Sequence, residues 1–263
     1  VTERLVVSPA ELFGDGVFET VHLRPDGPWL LDEHLDRLAR SAGMLELTLP
    51  PRTEIAERVS AAVTGFPGAE GALRIICTRE AMHVTVGAVP AAAVRERRDG
   101  IRLISAEAGR PAPWSLSGAK ILSYATNFAA RRWARDRGAD DLLWLTPEGY
   151  ALEGPTASLV WLAGDELGTV PPDEAAILPG TTVARLLDVA GSAGLRPVRR
   201  MITIDELRTV DGIWLASALR GLAEAISVDG QPRDRSAWTP RLLALLGYVD
   251  LRGWSAADPQ QAG

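Results

Sequence analysis

Apolar and polar residues alternate over Val17-Phe-Glu-Thr-Val-His-Leu23, the two-residue period of a half-buried strand, and a Gly14-Asp-Gly16 turn precedes it. Phe18, Thr20 and His22 share one face of that strand, and Val17, Glu19 and Val21 the other. Pro25-Asp-Gly27 signals a turn, so Trp29-Leu-Leu31 is expected to return as the hairpin partner. The period then lengthens. Leu35, Leu38, Ala39 and Ala42 fall at helical spacing behind Asp32, which can cap a helix. Residues 50–67 read as a second helix ended by Gly65-Phe-Pro67, and residues 72–79, 83–89 and 101–105 as strands. The charged run 90–100, with Arg95, Arg97, Arg98 and Asp99, reads as a solvated connection. These elements make a first α/β unit, residues 1–106, of a common domain size.

Gly109, Pro111, Pro113 and Trp114 give residues 107–118 the breaker content of an interdomain linker, and a helix follows to Arg137-Gly138. The second unit, residues 119–263, opens with strand 141–146, a Pro147-Glu-Gly149 turn and a returning strand 150–154. Strand 158–162 comes next, and then a helix 183–193 whose apolar positions are Val183, Leu186, Leu187 and Ala190. Strand 197–202, a short helix 204–208 and strand 212–216 lead into the loop Ser217-Ala-Leu-Arg220. Residues 222–228 form another strand, residues 236–246 a last helix, and residues 256–263 read as a disordered tail. The order of elements is that of a mixed α/β (α+β) protein without internal repeats.

A hydrophobic fraction of 46% and a charged fraction of 24% belong to an ordinary globular chain. The net charge of -6 argues against a general nucleic-acid or anionic-membrane surface, so any phosphate site is local. No apolar run reaches the roughly 20 residues of a membrane helix and no signal-peptide pattern opens the chain, so a cytoplasmic location is expected. Cys77 is the sole cysteine and reads as a buried strand thiol, and His22, His34 and His83 lack zinc-ligand spacing, so no metal is expected.

Of 28 basic residues counted as lysine plus arginine, 27 are arginine, and the one lysine is Lys120. Arginine supplies charge and ion pairs as well as lysine does, but stays protonated and cannot act as a nucleophilic amine. Lys120 is therefore the place to look for amine chemistry, at the seam between the two units where ligand sites gather. A chance survivor on a solvated face is the plainer alternative. Glu153 follows an apolar strand, and a carboxylate so near a core edge requires a partner, either a structural ion pair or a bound group. Gly180-Thr181-Thr182 at a helix start offers free N–H groups, two hydroxyls and the positive end of the helix dipole, which suit a phosphate, though Thr is also a routine cap. Arg37 borders the apolar stripe of its helix, free to reach an anion or to pair with Glu33. Arg74 and Arg79, at the ends of one strand, could face a pocket or the surface. A lysine amine, a carboxylate and a phosphate cup are the three groups that pyridoxal phosphate needs.

Phe13-Gly-Asp-Gly-Val-Phe-Glu-Thr20, His34-Leu-Asp-Arg37-Leu, Lys120-Ile-Leu-Ser-Tyr124, Gly149-Tyr-Ala-Leu-Glu153-Gly154, Ile177-Leu-Pro-Gly-Thr-Thr182 and the Ser217 loop stand in one order over residues 13–230. In this the chain resembles the fold-type IV pyridoxal-phosphate enzymes, which comprise branched-chain and D-amino-acid aminotransferases and 4-amino-4-deoxychorismate lyases. The resemblance implies a small α/β domain and a larger pseudo-barrel domain, a homodimer, and a cofactor between the domains. By position it implies Lys120 as the Schiff-base lysine and proton shuttle, Glu153 as partner of the pyridine nitrogen, and Arg37, Thr181 and Thr182 as phosphate ligands. Tyr124 would donate near the cofactor phenolate, with Ser217 and Ala218 in the phosphate-side loop. The chain departs from the family in three places: Ala218 offers only its backbone N–H where Thr is common, Val183 stands where Arg usually follows the second Thr, and Val1 begins too late to supply the whole N-terminal strand of about twenty residues that normally precedes Gly14.

Phe18-Glu19-Thr20 looks more like the lyase branch than the branched-chain transaminases, which tend to have Phe-Glu-Gly there. The D-amino-acid enzymes place Tyr at the Phe18 position and use an Arg and a His in a loop that here is only Glu80-Ala-Met-His83. The resemblance thus implies a lyase converting 4-amino-4-deoxychorismate to 4-aminobenzoate and pyruvate, with Phe18 and Thr20 against the substrate and Arg220, unless it is a surface arginine, on its carboxylate. The alternatives are an aminotransferase of branched-chain or D-amino acids and a non-catalytic dimeric relative.

Overall fold

The computed structural model describes residues 8–68 and 70–248. The expected tail at 256–263 lies outside them. In chain order the first half holds α1 (Pro9–Phe13), β1 (Gly16–Arg24), β2 (Gly27–Pro28), α2 (Leu31–Met44), α3 (Arg52–Thr64), β3 (Gly71–Thr78), β4 (Met82–Gly87), α4 (Ala91–Asp99) and β5 (Ile101–Glu107). Then come α5 (Ala125–Arg135), β6 (Asp141–Leu145), β7 (Glu153–Gly154), β8 (Ala157–Ala163), β9 (Glu166–Thr169), α6 (Pro172–Ala175) and α7 (Thr181–Ala190). After a 3₁₀ turn at Gly191–Ala193 the chain forms β10 (Arg196–Arg199), α8 (Ile204–Leu207), β11 (Gly212–Ser217), β12 (Gly221–Val228), β13 (Gln231–Pro232) and α9 (Thr239–Leu245).

Two sheets organise the molecule. The first is antiparallel, in the order β2-β1-β3-β4, and α2 and α3 cover one of its faces. Val17, Val21, Leu73, Ile75 and Cys77 from the strands meet Leu35, Leu38, Ile55 and Val59 from the helices in one buried cluster. The register pairs Phe18 with Ile76 and Thr20 with Arg74, so strict alternation sends these four to the opposite face. The second sheet runs β10-β9-β8-β11-β12-β5-β6, with β7 on β8 and β13 on β12. One of its cores centres on Trp161, Leu159, Ile213 and Leu215, and the other is closed by Leu186 and Leu187 of α7 and Leu242 and Leu243 of α9. Among the described residues no helix is long and apolar enough to cross a membrane.

Several expectations change. Residues 101–105 do not close the first unit: β5 lies parallel to β12 and β6 in the second sheet, so the first sheet ends with β4. Residues 90–100 are not a loose connection but α4, started by Pro90 and the helix formers Ala91-Ala-Ala93, and packed near β12. The return strand at 29–31 shrinks to Gly27–Pro28, because Leu30 adopts a left-handed φ of 56° and turns the chain into α2. Leu30, not Asp32, is therefore the residue before the helix, and Asp32 and Glu33 lie in its first turn. Residues 150–154 contribute two isolated bridges and β7 rather than a full strand.

Candidate active site

Backbone hydrogen bonds lay the lysine segment against the first sheet. Phe18 N donates to Lys120 O (3.0 Å), Leu122 N donates to Gly16 O (2.8 Å), and Lys120 N donates to Ser41 Oγ of α2 (3.0 Å). The glycines of the Gly14-Asp-Gly16 turn permit this approach. Gly14 has φ +72°, and a Cβ there would lie 2.6 Å from Ser123 Oγ, while one on Gly16 would lie 2.7 Å from Cys77 O. Lys120 Nζ thereby reaches 3.1 Å from Tyr124 Oη and 4.4 Å from the centroid of the Phe18 ring, which meets Tyr124 edge-on.

Lys120 lines a cavity of about 470 Å³ together with Phe18, Thr20, Arg37, Tyr124 and Glu153, and with the Thr181–Thr182 and Ser217–Arg220 segments. The residues to which the family resemblance assigns roles thus meet in one place, although their elements belong to both sheets. Burial lowers the Lys120 amine to about 8, helped by the Arg37 and Arg74 charges and opposed by Glu19 and Glu153. Burial also pushes Glu153 up to about 8, despite the Leu178 N–H that donates to its Oε1 (3.3 Å) and the nearby Lys120 and Arg37 charges. Tyr124 is raised to about 12, by burial first and by the Glu153 charge second. Lysine and glutamate are each poised to change protonation near neutrality.

The end of the cavity at the threonine pair is framed by charge. Arg37 does not pair with Glu33; it forks onto Glu19, with Nε donating to Oε1 (2.8 Å) and Nη2 to Oε2 (2.7 Å), while Nη1 donates to Pro179 O (3.0 Å) just before the threonine pair. Burial alone would raise Glu19, but the Arg37 guanidinium and His34 hold it down at about 2. His34, wholly buried and pushed down by that burial, contacts Glu19 Oε2 through Nδ1 (2.7 Å) and Thr181 Oγ1 through Nε2 (3.4 Å). Thr182 Oγ1 is buried with no hydrogen-bond partner among the described residues, at the first turn of the ten-residue α7. Gly180 before it lies so close to Ser158 that an added Cβ would force the serine hydroxyl to turn aside. An orphaned hydroxyl at a helix N-terminus, a lysine amine and a buried carboxyl in one cavity fit pyridoxal phosphate.

A family model described as Amino-transferase class IV matches residues 16–228. The chain belongs to the class IV aminotransferase family. The chain is 35% identical to the bifunctional aminodeoxychorismate lyase / D-amino acid transaminase of Mycobacterium tuberculosis, across 86% of each chain. Its fold superposes on a hypothetical aminotransferase from Mycobacterium tuberculosis in a PLP-bound form, with a TM-score of 0.87, 33% identity and 94% of both chains covered. A fold IV-transaminase from Curtobacterium pusillum gives 0.85 at 36% identity, covering 94% of this chain and 90% of that one. The protein is thus a pyridoxal-phosphate-dependent enzyme, which sets aside the non-catalytic alternative.

Among the candidate site residues the arginines divide sharply. Arg220 is no surface residue: it is 4% exposed, with Nε 2.8 Å from Glu96 of α4 and Nη2 2.9 Å from Asp141. Arg131 joins the same two carboxylates. Arg79 ties down a surface turn through Leu45 O, Glu46 O and Asp15. Ala218 takes part through its carbonyl, which accepts from Tyr248 Oη (2.8 Å); the Tyr248 ring stacks on His22 between Arg24 and Arg97. Sequence reading missed Glu19, His34, Glu96 and Asp141. Glu19 carried a usable signal, since it is the charged residue on the Val17–Val21 face that packs into the core.

Proposed function

We propose that the enzyme converts 4-amino-4-deoxychorismate to 4-aminobenzoate and pyruvate. The observation that carries the reading is the sole lysine amine, held at about 8 within a cavity it shares with Glu153 and the threonine pair. When bound, pyridoxal phosphate supplies an aldehyde for amines and a ring that accepts electrons from the bond being broken. Lys120 holds the cofactor and then moves protons at Nζ. It takes one from the carbon that bears the substrate nitrogen, the enolpyruvyl oxygen departs as the ring becomes aromatic, and the proton returns to the leaving group as pyruvate. Glu153 would partner the ring nitrogen, Tyr124, which accepts from Lys120 Nζ, would donate to the cofactor oxygen, and Thr182, with the α7 N-terminus and Arg37 behind it, would hold the phosphate. Thr181, Ser217 and Ala218 complete the cup, and Phe18 and Thr20 form the substrate wall.

D-amino-acid transamination is the second reading, favoured by the double name of the Mycobacterium tuberculosis relative. Supplying aminodeoxychorismate without any keto acid separates the two. Pyruvate formation supports the lyase, whereas strict dependence on a keto-acid acceptor makes the enzyme a transaminase. The exposed Leu12, Phe13, Trp114 and Phe128 are apolar surface that a second copy would cover, in keeping with a homodimer.

A further inference from the structure

Beyond α9 the chain turns back toward the sheets. Gly247 adopts a left-handed φ of +76°, Gly247 N donates to Ala244 O (2.9 Å) and Tyr248 N donates to Leu243 O (2.9 Å), the paired bonds that close a helix on a glycine. A Cβ at Gly247 would also lie 2.9 Å from Arg24 Nη1, which donates to Leu246 O (3.0 Å). Tyr248 is thereby fixed in direction. Its hydroxyl donates to Ala218 O (2.8 Å), in the turn between β11 and β12 that lines the cavity through Ser217, Ala218, Leu219 and Arg220. Gly221 closes that turn at φ +65°, and a Cβ on it would lie 2.8 Å from the Tyr248 ring, so the turn rests directly on the tyrosine.

The rest of the ring is held from the first half of the chain. His22 of β1 stacks on it with centroids 5.6 Å apart, Trp29 meets it edge-on at 6.2 Å, and the Arg24 and Arg97 guanidiniums lie 4.7 and 4.5 Å from its centroid. Cations beside an aromatic ring hold it through its quadrupole, and they make a phenol a stronger donor. Burial outweighs them and pushes Tyr248 up, so its hydroxyl keeps the proton it donates. His22 follows Phe18 and Thr20 along one face of β1, the face that walls the cavity beside Lys120. One side chain thus joins the front strand to a turn of the other sheet. We infer that Tyr248 is a positioning residue, which holds the Ser217–Arg220 turn at a set distance from β1 and so shapes the part of the cavity that receives the cofactor phosphate. Because the peptide is planar and trans, anchoring the Ala218 carbonyl also turns the Leu219 N–H away from Tyr248. The inference rests on the assignment of Ser217 and Ala218 to the phosphate cup, and adds what keeps them in place.

The test compares Tyr248→Phe and Tyr248→Leu with the wild type in the full chain, using pyridoxal phosphate and pyridoxal, which lacks the phosphate. Y248F keeps the ring and loses one hydrogen bond. In an absorbance titration its dissociation constant for pyridoxal phosphate should rise about threefold to tenfold, the net worth of one such bond, while that for pyridoxal should change by less than about twofold. Y248L, which gives up the ring contacts as well, should weaken pyridoxal phosphate further; should it fail to fold, Y248F carries the decision. In the cofactor-free protein, amide hydrogen exchange of peptides covering residues 217–221 should be faster by about threefold or more in Y248F, with peptides covering β8 unchanged. Unchanged affinity for pyridoxal phosphate, equal losses for the two ligands, or unchanged exchange at 217–221 each overturns the assignment. If the wild type binds neither ligand, the cofactor reading fails by itself, and the exchange measurement still decides whether Tyr248 holds the turn.

Discussion

Replacing Glu19 by Gln tests how β1 and the helix α2 that covers it are electrically joined. The exchange keeps the size of the side chain and removes only its charge, leaving the buried Arg37 without a counter-ion. A carboxyl displaced from 4.5 to about 2 corresponds to about 3 kcal/mol at roughly 1.4 kcal/mol per unit. Measured losses on breaking buried ion pairs fall in the same range, about 3–5 kcal/mol. The sign is fixed by linkage: the folded value lies below the unfolded one, so the stabilisation is complete above pH 4.5 and drains away as pH falls toward 2. Urea unfolding at pH 7 should therefore place E19Q about 3 kcal/mol below the wild type, with the gap narrowing as the titration is repeated at lower pH. In a cycle with Arg37→Met, the double variant should cost much less than the two single variants added together. A loss under about 1 kcal/mol, or a gap that does not change with pH, would refute the account.

Thr182→Val should act with opposite signs on the two forms of the protein. Removing a buried hydroxyl without a partner should leave the cofactor-free protein as stable or more stable by about 1 kcal/mol in a thermal melt, yet weaken cofactor binding about fivefold to tenfold in an absorbance titration. A loss of apo stability with unaltered binding would contradict the role given to that hydroxyl. Because Lys120 is the one lysine, its acidity can be read directly. Labelling of the cofactor-free protein by an amine-selective reagent, mapped to Lys120 by mass spectrometry, should rise with pH to a midpoint near 8, and a midpoint near the ordinary 10.5 would show that the amine is not desolvated.

Local patterns told most about the elements whose partners lie nearby. The alternation of β1 and the helical spacing of Val183, Leu186, Leu187 and Ala190 correspond to buried faces in the structure, because each period follows from backbone geometry alone. Strand membership was harder: the sheet that β5 joins depends on β12, more than a hundred residues later. Residues 90–100 were misjudged for a related reason, since their charges looked solvated while Glu96 in fact turns inward to Arg131 and Arg220. Among the candidate residues, type and spacing located Lys120, Glu153 and the threonine pair without revealing who neutralises whom. An arginine's availability depends on neighbours brought in by the fold, which is why Arg220, a carboxylate candidate by position, is instead buried and paired with Glu96 and Asp141.

The cavity has two walls of separate ancestry within the chain. Phe18, Thr20, Arg74 and Ile76 project from adjacent strands of a sheet that ends by residue 87, while Glu153, Thr181 and Thr182 hang on the other sheet. Outward-facing side chains of β1 and β3 can be exchanged without disturbing the hydrophobic cluster on their reverse side. The enzyme therefore has a replaceable front panel: grafting these four positions from a relative with another diet should retune what it accepts, while the opposite wall, to which we assign the vitamin, is left as it is.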